Sequence, residues 1–407
     1  MKQSLVIYLH AHQPYRVRPY SIFDVGSTHD YFDDNQARET NNRFIIEKVS
    51  HKSYLPTNNM LVHLLEKHPD FKLSLSITGT LIEQLERFAP EVLDSFKRLI
   101  DTGRVELVAE TYHHSLAFFY SLAEFEAQVQ MHADKLREVF GVTPTSFRGT
   151  ELSYNNDLAS WAERKGYKAI LAEGWDKILG WRSPNYVYRP VNAESIKLLM
   201  KNYRLSDDIA FRFSDRNWSE WPMTAEKFVH WVRSTDKNAT NFDLFMDYET
   251  FGEHQWAETG IFDFLHKLPE EWMKHGDASF STVSEMAENN AVDVIDVPET
   301  ITWADTERDL SAWLGNDMQQ EAIKLLYKMQ SLVAQTGDWA IIEDWRRLTT
   351  SDHFYYMCTK WFSDGDIHAY FSPYDSPYEA FISYMNVIKD MRMRLLEKGV
   401  DISCLDQ

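Results

Sequence analysis

The chain has 407 residues, 44% of them apolar and 26% charged, which supplies a large core and excludes a disordered or membrane-embedded class. Its 62 acidic against 42 basic residues give a formal charge of −20, a surface that repels nucleic acid and anionic lipid, so neither is an expected partner. The two cysteines, Cys358 and Cys404, lack zinc-type spacing and cannot make a disulfide framework, which points to a cytoplasmic protein.

The N-terminus offers one lysine and a five-residue apolar run, too short for a signal-peptide core or a membrane span, and reads as a first buried strand over 5–10. Further strands are expected at 72–78, 105–110, 145–150, 168–173, 195–200 and 242–247. Between them, Leu81, Leu85, Phe88, Val92, Phe96 and Leu99 recur at helical spacing through 81–101, and Leu122, Phe125, Val129, Leu136 and Phe140 do so through 121–140. Strands alternating with helices argue for an α/β fold with a parallel sheet, and seven such strands make an incomplete (β/α)7 TIM-like barrel. After about residue 305 the strand patterns stop. Segments 318–336, 338–348, 351–362 and 376–398 read as helix, with Ser351 or Asp352 capping the third and Ser376–Pro377 opening the fourth. The expected domains are a catalytic barrel over 1–300 and a C-terminal helical domain over 301–407.

Five strand ends finish in polar residues: His10-Ala11-His12-Gln13-Pro14, Glu110-Thr111-Tyr112-His113-His114, Arg148-Gly149-Thr150-Glu151, Glu173-Gly174-Trp175-Asp176 and Asp247-Tyr248-Glu249. In a parallel barrel these ends share one face, where catalytic groups collect. Alternation turns His10 and His12 to one side, which suits a metal site, a contact from His12 to a substrate hydroxyl, or a buried hydrogen-bonded histidine. Adjacent His113 and His114 face opposite ways, so one of them, or Glu110, reaches the pocket. Arg148 with the amides of Asn155 and Asn156 can hold Glu151 ionised, as a nucleophile requires, or can form a structural contact with it. Asp247 stands among Asp243, Glu249 and Glu253, and like charges with partial burial raise a carboxyl pKa, as a general acid requires. Glu249 can tune that acid or bind a sugar hydroxyl. Trp175, Trp181, Tyr186, Trp218, Trp221, Trp256 and Trp303 adjoin polar residues rather than apolar runs, an excess suited to stacking on sugar rings.

His12-Gln13-Pro14 and Glu110–His114, taken with Phe147–Asn156, Asp247–His254 and Ile301–Asn316, resemble glycoside hydrolase family 57, close to its α-amylase and amylase-like branch. They run in the family's order and cover about three quarters of the chain. Ser351–Met357 is similar to the helical region of that branch. The resemblance implies a helical domain that contributes to the active-site cleft and a retaining reaction on α-1,4-linked glucan or maltooligosaccharide. Glu151 would be the nucleophile and Asp247 the general acid/base. His12, His113, His114, Arg148, Trp175, Glu249, Trp303, Asp305 and Trp313 would bind substrate. No metal or other cofactor is expected. Gly149 stands where the family pattern suggests a bulkier polar residue. Three other readings accompany this one: a 4-α-glucanotransferase of the same family, a metal-dependent deacetylase-like barrel using His10, His12, His113 and Asp247, and a non-catalytic glucan-binding relative. A retaining enzyme holds its two carboxyls roughly 5–5.5 Å apart.

Overall fold

The computed structural model describes residues 2–33, 40–360 and 370–406. The chain forms two compact units, the first comprising Met1–His12, Ile46–Glu110 and Gln130–Trp303, the second Gln13–Ile45, Thr111–Val129 and Ala304–Gln407.

The first unit carries ten strands: β1 (Gln3–Ala11), β2 (Leu73–Ile77), β3 (Val105–Leu107), β4 (Ser146–Arg148), β5 (Ala169–Glu173), β6 (Arg189–Pro190), β7 (Lys197–Lys201), β8 (Asn241–Asp247), β9 (Ala278–Phe280) and β10 (Val294–Ile295). All seven expected strands are present. β1 is buried over its full nine residues, as a parallel strand covered on both faces must be. It pairs in parallel with β8 along one edge, and with β9 and β2 along the other. β3 extends this sheet beyond β2, and β4, β5 and β7 form a second parallel sheet.

The ladders do not close into a continuous ring. Between β3 and β4, Ala109 donates its N–H to Ser146 and accepts from Arg148, each at 2.9 Å. Between β7 and β8, the Asn202 N–H donates to the Asp243 carbonyl at 2.8 Å. The Asp243 side chain is fully buried there and accepts from Asn241 Nδ2 at 2.8 Å. The result is an incomplete barrel of seven strands.

Several helices start where a polar side chain caps the first turn. Thr78 accepts from the Leu81 N–H before Gly79–Phe88, and Asn155 accepts from the Leu158 N–H before Asn156–Arg164. The helical pattern of 81–101 is two helices, because Ala89, preceding Pro90, leaves the helical conformation.

The second unit is helical. Asp317–Lys328, Gln330–Thr336, Trp339–Leu348, Ser351–Tyr355 and Pro377–Glu397 enclose a core that includes Ile323, Trp345, Phe354, Val387 and Met391. Ser376 caps the last of these through the Glu379 N–H, as expected. Thr350 rather than Ser351 or Asp352 precedes Ser351–Tyr355, and it makes no side-chain cap bond. That helix stops at Tyr355, well short of the expected end. Residues 361–362, which close the expected segment, lie outside the described residues.

Candidate active site

Strand register builds the floor of the site within the first unit. β1 sets His10 opposite Asp247 on β8 and opposite Ser76 on β2. Alternation carries Tyr8, His10 and His12 to the same side, and the His10 and His12 rings stack 5.9 Å apart at 24°. Glu110, three residues beyond β3, is wholly buried and donates its N–H to His132 Nδ1 at 3.1 Å. Its carboxylate accepts from the Ser76 hydroxyl and lies 3.0 Å from His10 Nε2 and 3.3 Å from Arg148 Nη1.

Arg148 ends β4 and is fully enclosed. Burial alone would weaken its charge, but the groups around it, Tyr8, Glu110, Glu151 and Asp247, raise its pKa instead. Its Nε and Nη2 are buried without a hydrogen-bond partner among the described residues. On the neighbouring strands, register sets Glu173 opposite Lys201, and their charged groups lie 3.6 Å apart.

Glu151 sits on the turn that joins β4 to the helix Asn156–Arg164. Its backbone is left-handed, at φ 60° and ψ 30°, and Leu152 follows at φ 50°. A glutamate in this region costs about 1–3 kcal/mol, which the surrounding bonds must offset. A strained strand-to-helix turn of this kind lifts its side chain clear of the sheet. The structure explains Gly149 as well. A Cβ there would collide with the Ser153 carbonyl oxygen, so no larger residue fits the turn. The amides of Asn155 and Asn156 do not serve Glu151. Asn155 caps its helix and donates to Thr300, and Asn156 bonds Asp296 and the Val297 N–H. Trp303 instead donates its indole N–H to Glu151 Oε2 at 3.0 Å.

Asp247 and Glu249 divide the roles of their acidic stretch in an unforeseen way. Asp247 keeps 38% of its side-chain surface exposed, and its Oδ1 lies 3.8 Å from His10 Nδ1. The protein packed behind it works to raise the carboxyl pKa, but the nearby His10 imidazole and the charges of His254 and Arg148 outweigh that and leave it below the usual range. Glu249 is the raised group. Burial, then the Asp247 charge, pushes it up to about 8, while the Tyr54 hydroxyl and the His12 N–H, both donating to it, only partly compensate. Tyr54 reaches it from a wide helical turn, Ser50–Tyr54, whose Lys52 carbonyl packs so closely on Gly252 (φ 106°) that a Cβ would collide.

Glu249 should therefore make stability depend on pH. Its folded pKa lies above the unfolded value near 4.3. The native state thus holds a proton that the unfolded chain releases, and stability falls as pH rises from about 4.5 to 8. The Glu249→Gln variant is expected to flatten that fall by on the order of 4 kcal/mol in urea unfolding followed from pH 5 to 8. Parallel curves for the two proteins would show that Glu249 titrates normally.

Parallel strands that converge carboxylates, an arginine and histidines at their carboxyl ends define an α/β-barrel hydrolase site. The profile of glycosyl hydrolase family 57 matches residues 6–298. The chain belongs to that family, one of retaining glycosidases, and is a glycoside hydrolase. Over 400 residues it is 44% identical to a protein of Methanocaldococcus jannaschii that carries the provisional name α-amylase, covering 95% of this chain and 83% of that one. Among solved structures, a family 57 branching enzyme from Thermococcus kodakaraensis matches at TM-score 0.72 and 13% identity, over 100% of this chain and 94% of that one. The 4-alpha-glucanotransferase of Thermococcus litoralis matches at TM-score 0.63 and 16% identity, over 87% of this chain and 56% of that longer one. At such identities these structures speak to the fold alone.

Of the residues singled out from sequence, the first unit brings together His12, Arg148, Glu151, Asp247, Glu249 and Trp303. Trp175 follows β5, and the Lys177 ammonium lies 5.0 Å over its ring. The other four belong to the second unit. His113 is fully buried there, and burial with the Arg347 and Arg346 charges holds its pKa well down, so it is neutral. His114 is buried in a left-handed turn and accepts from the Ser351 N–H at 2.9 Å. Asp305 pairs with Lys360 at 3.2 Å. Trp313 is buried beside Tyr355. Among the described residues no helix is long and apolar enough to cross a membrane.

Sequence reading passed over Thr78 and Lys201. Thr78 Oγ1 lies 2.8 Å from His12 Nδ1, and the Lys201 ammonium lies 5.5 Å from the Trp303 ring centroid. Both are findable in the sequence, since Thr78 directly follows β2 and Lys201 ends β7. Tyr54 carries no such signal, because it comes from a helix rather than a strand end.

Proposed function

We propose that the protein hydrolyses α-1,4-linked glucans with retention of anomeric configuration, with Glu151 as nucleophile and Asp247 as general acid/base. What supports this reading is the shared setting of the two acids: Arg148, fully buried and paired with Glu110 at 3.3 Å, is close enough to both to interact with their charges. The family's retaining chemistry and the name of the 44% identical relative support the same reading.

In the first step Asp247 gives its proton to the glycosidic oxygen while a Glu151 carboxylate oxygen attacks the anomeric carbon, so the C–O bond breaks as the glycosyl ester forms. In the second, Asp247 takes a proton from water, the water oxygen attacks the same carbon, and Glu151 leaves as carboxylate. In this reading His12 binds a hydroxyl of the sugar, and the enclosed Arg148 acts on the two acids through its charge.

Maltoheptaose digestion tests this, with product size followed by chromatography and the first-formed anomer by proton NMR. Shorter sugars alone, released as the α-anomer, are expected. Longer sugars appearing with the shorter ones would make the enzyme a transferase. A β-anomer as first product would overturn the retaining assignment.

A further inference from the structure

Residues 297–303 run antiparallel to the Glu151 turn and clasp it. The Asn156 N–H donates to the Val297 carbonyl, and Tyr154 and Ile301 exchange N–H···O bonds in both directions, each at 3.0 Å. The Trp303 N–H donates to the Glu151 carbonyl at 3.3 Å. Side chains reinforce the pairing: Asn155 to Thr300 at 2.9 Å and Asn156 to Asp296 at 2.7 Å. The clasp ends in the indole of Trp303, whose N–H meets Glu151 Oε2 at 3.0 Å. The same ring lies 5.3 Å from the Arg148 guanidinium and 5.5 Å from the Lys201 ammonium.

This geometry differs from that of a sugar platform. Cations already crowd the π-system of the ring, and its single donor is committed to the nucleophile. A cation near an indole draws electron density from it and makes the N–H a stronger donor. Bonding one carboxylate oxygen fixes the rotation of the group and favours its ionised form. The backbone bond from the same residue holds Glu151 in its left-handed conformation.

We propose that Trp303 is the positioning residue of the nucleophile: its indole N–H, on a ring with Arg148 and Lys201 beside it, holds Glu151 Oε2 and fixes the carboxylate for attack. The proposal rests on Glu151 being the nucleophile. Trp303→Phe keeps an aromatic ring and removes the donor, and site-specific replacement by benzothienylalanine keeps the full bicyclic shape should the phenylalanine variant not fold. Either replacement is expected to lower kcat about 10- to 100-fold on maltooligosaccharides with KM changed by no more than about threefold. The acid limb of the pH profile should rise by about one unit. Independently of turnover, a 13C-glutamate titration is expected to show the Glu151 signal, identified by its loss in Glu151→Gln, titrating about one unit higher in either variant. A large rise in KM with kcat and the titration unchanged would overturn the proposal and make Trp303 a sugar platform. If the unaltered enzyme turns over no glucan, the functional reading fails, and an unmoved Glu151 titration would still overturn the hold of Trp303 on its own.

Discussion

Glu151→Gln is expected to lower kcat on maltooligosaccharides by about 10^4-fold or more, the scale seen when an enzyme loses its nucleophile. The amide is nearly the same size and still accepts from the Trp303 N–H, so fold and binding should persist. What it lacks is the negative charge that attacks the anomeric carbon and balances the positive charge developing there. Supplying an external nucleophile separates this role from a merely structural one. With the truncated variant Glu151→Ala, an α-glucosyl fluoride and added azide, azide should attack through the space the glutamate side chain has vacated, fluoride leaves, and the product is the β-glucosyl azide. Restored turnover with that inverted product assigns the nucleophile. Full activity in Glu151→Gln, or an α-azide product, would remove Glu151 from the role. The left-handed backbone at Glu151 sharpens the case, since a residue of this type carries that strain only where something holds it there.

Much of this architecture is legible from the chain because parallel strands buried on both faces leave nearly continuous apolar runs, and 5–10, 168–173 and 242–247 are such runs. Their ends then mark the site almost automatically. The strands that escape notice, β6, β9 and β10, have only two or three residues and no period to detect. Partnerships across space are harder to read. Asn155 and Asn156 beside Glu151 look like its hydrogen-bond donors, yet a helix start and the 297–303 clasp claim both amides. A donor that does reach the carboxylate, Trp303, stands 152 residues away. The acidic stretch around Asp247 misleads for a similar reason. The pattern shows that acids in it can be raised but not which, because the surroundings decide it: burial raises Asp243 and Glu249, while His10, His254 and Arg148 hold Asp247 down.

Asp247→Asn should cost about 10^2- to 10^4-fold on maltooligosaccharides and far less in the first step on an α-glucosyl fluoride, whose leaving group needs no proton. Water activation suffers with either substrate, so on the fluoride the glycosyl-enzyme should accumulate and KM should fall. Azide, which needs no general base, should restore turnover with the α-configuration retained. The contrast with Glu151→Ala, where azide gives the β-product, distinguishes the two acids. Asp247 lies below the usual carboxyl range in the free protein and must nevertheless enter the reaction protonated. The 38% of its side chain open to solvent is the part that a bound sugar can cover, and losing that water raises a carboxyl pKa. Glucan binding should therefore draw in a proton, measurable as a binding heat that changes with the ionisation enthalpy of the buffer. Glu249, already protonated at neutral pH, is the competing donor. If Glu249→Gln rather than Asp247→Asn showed the dependence on leaving group, the proton would come from Glu249 and the role of Asp247 would be to hold it there by charge.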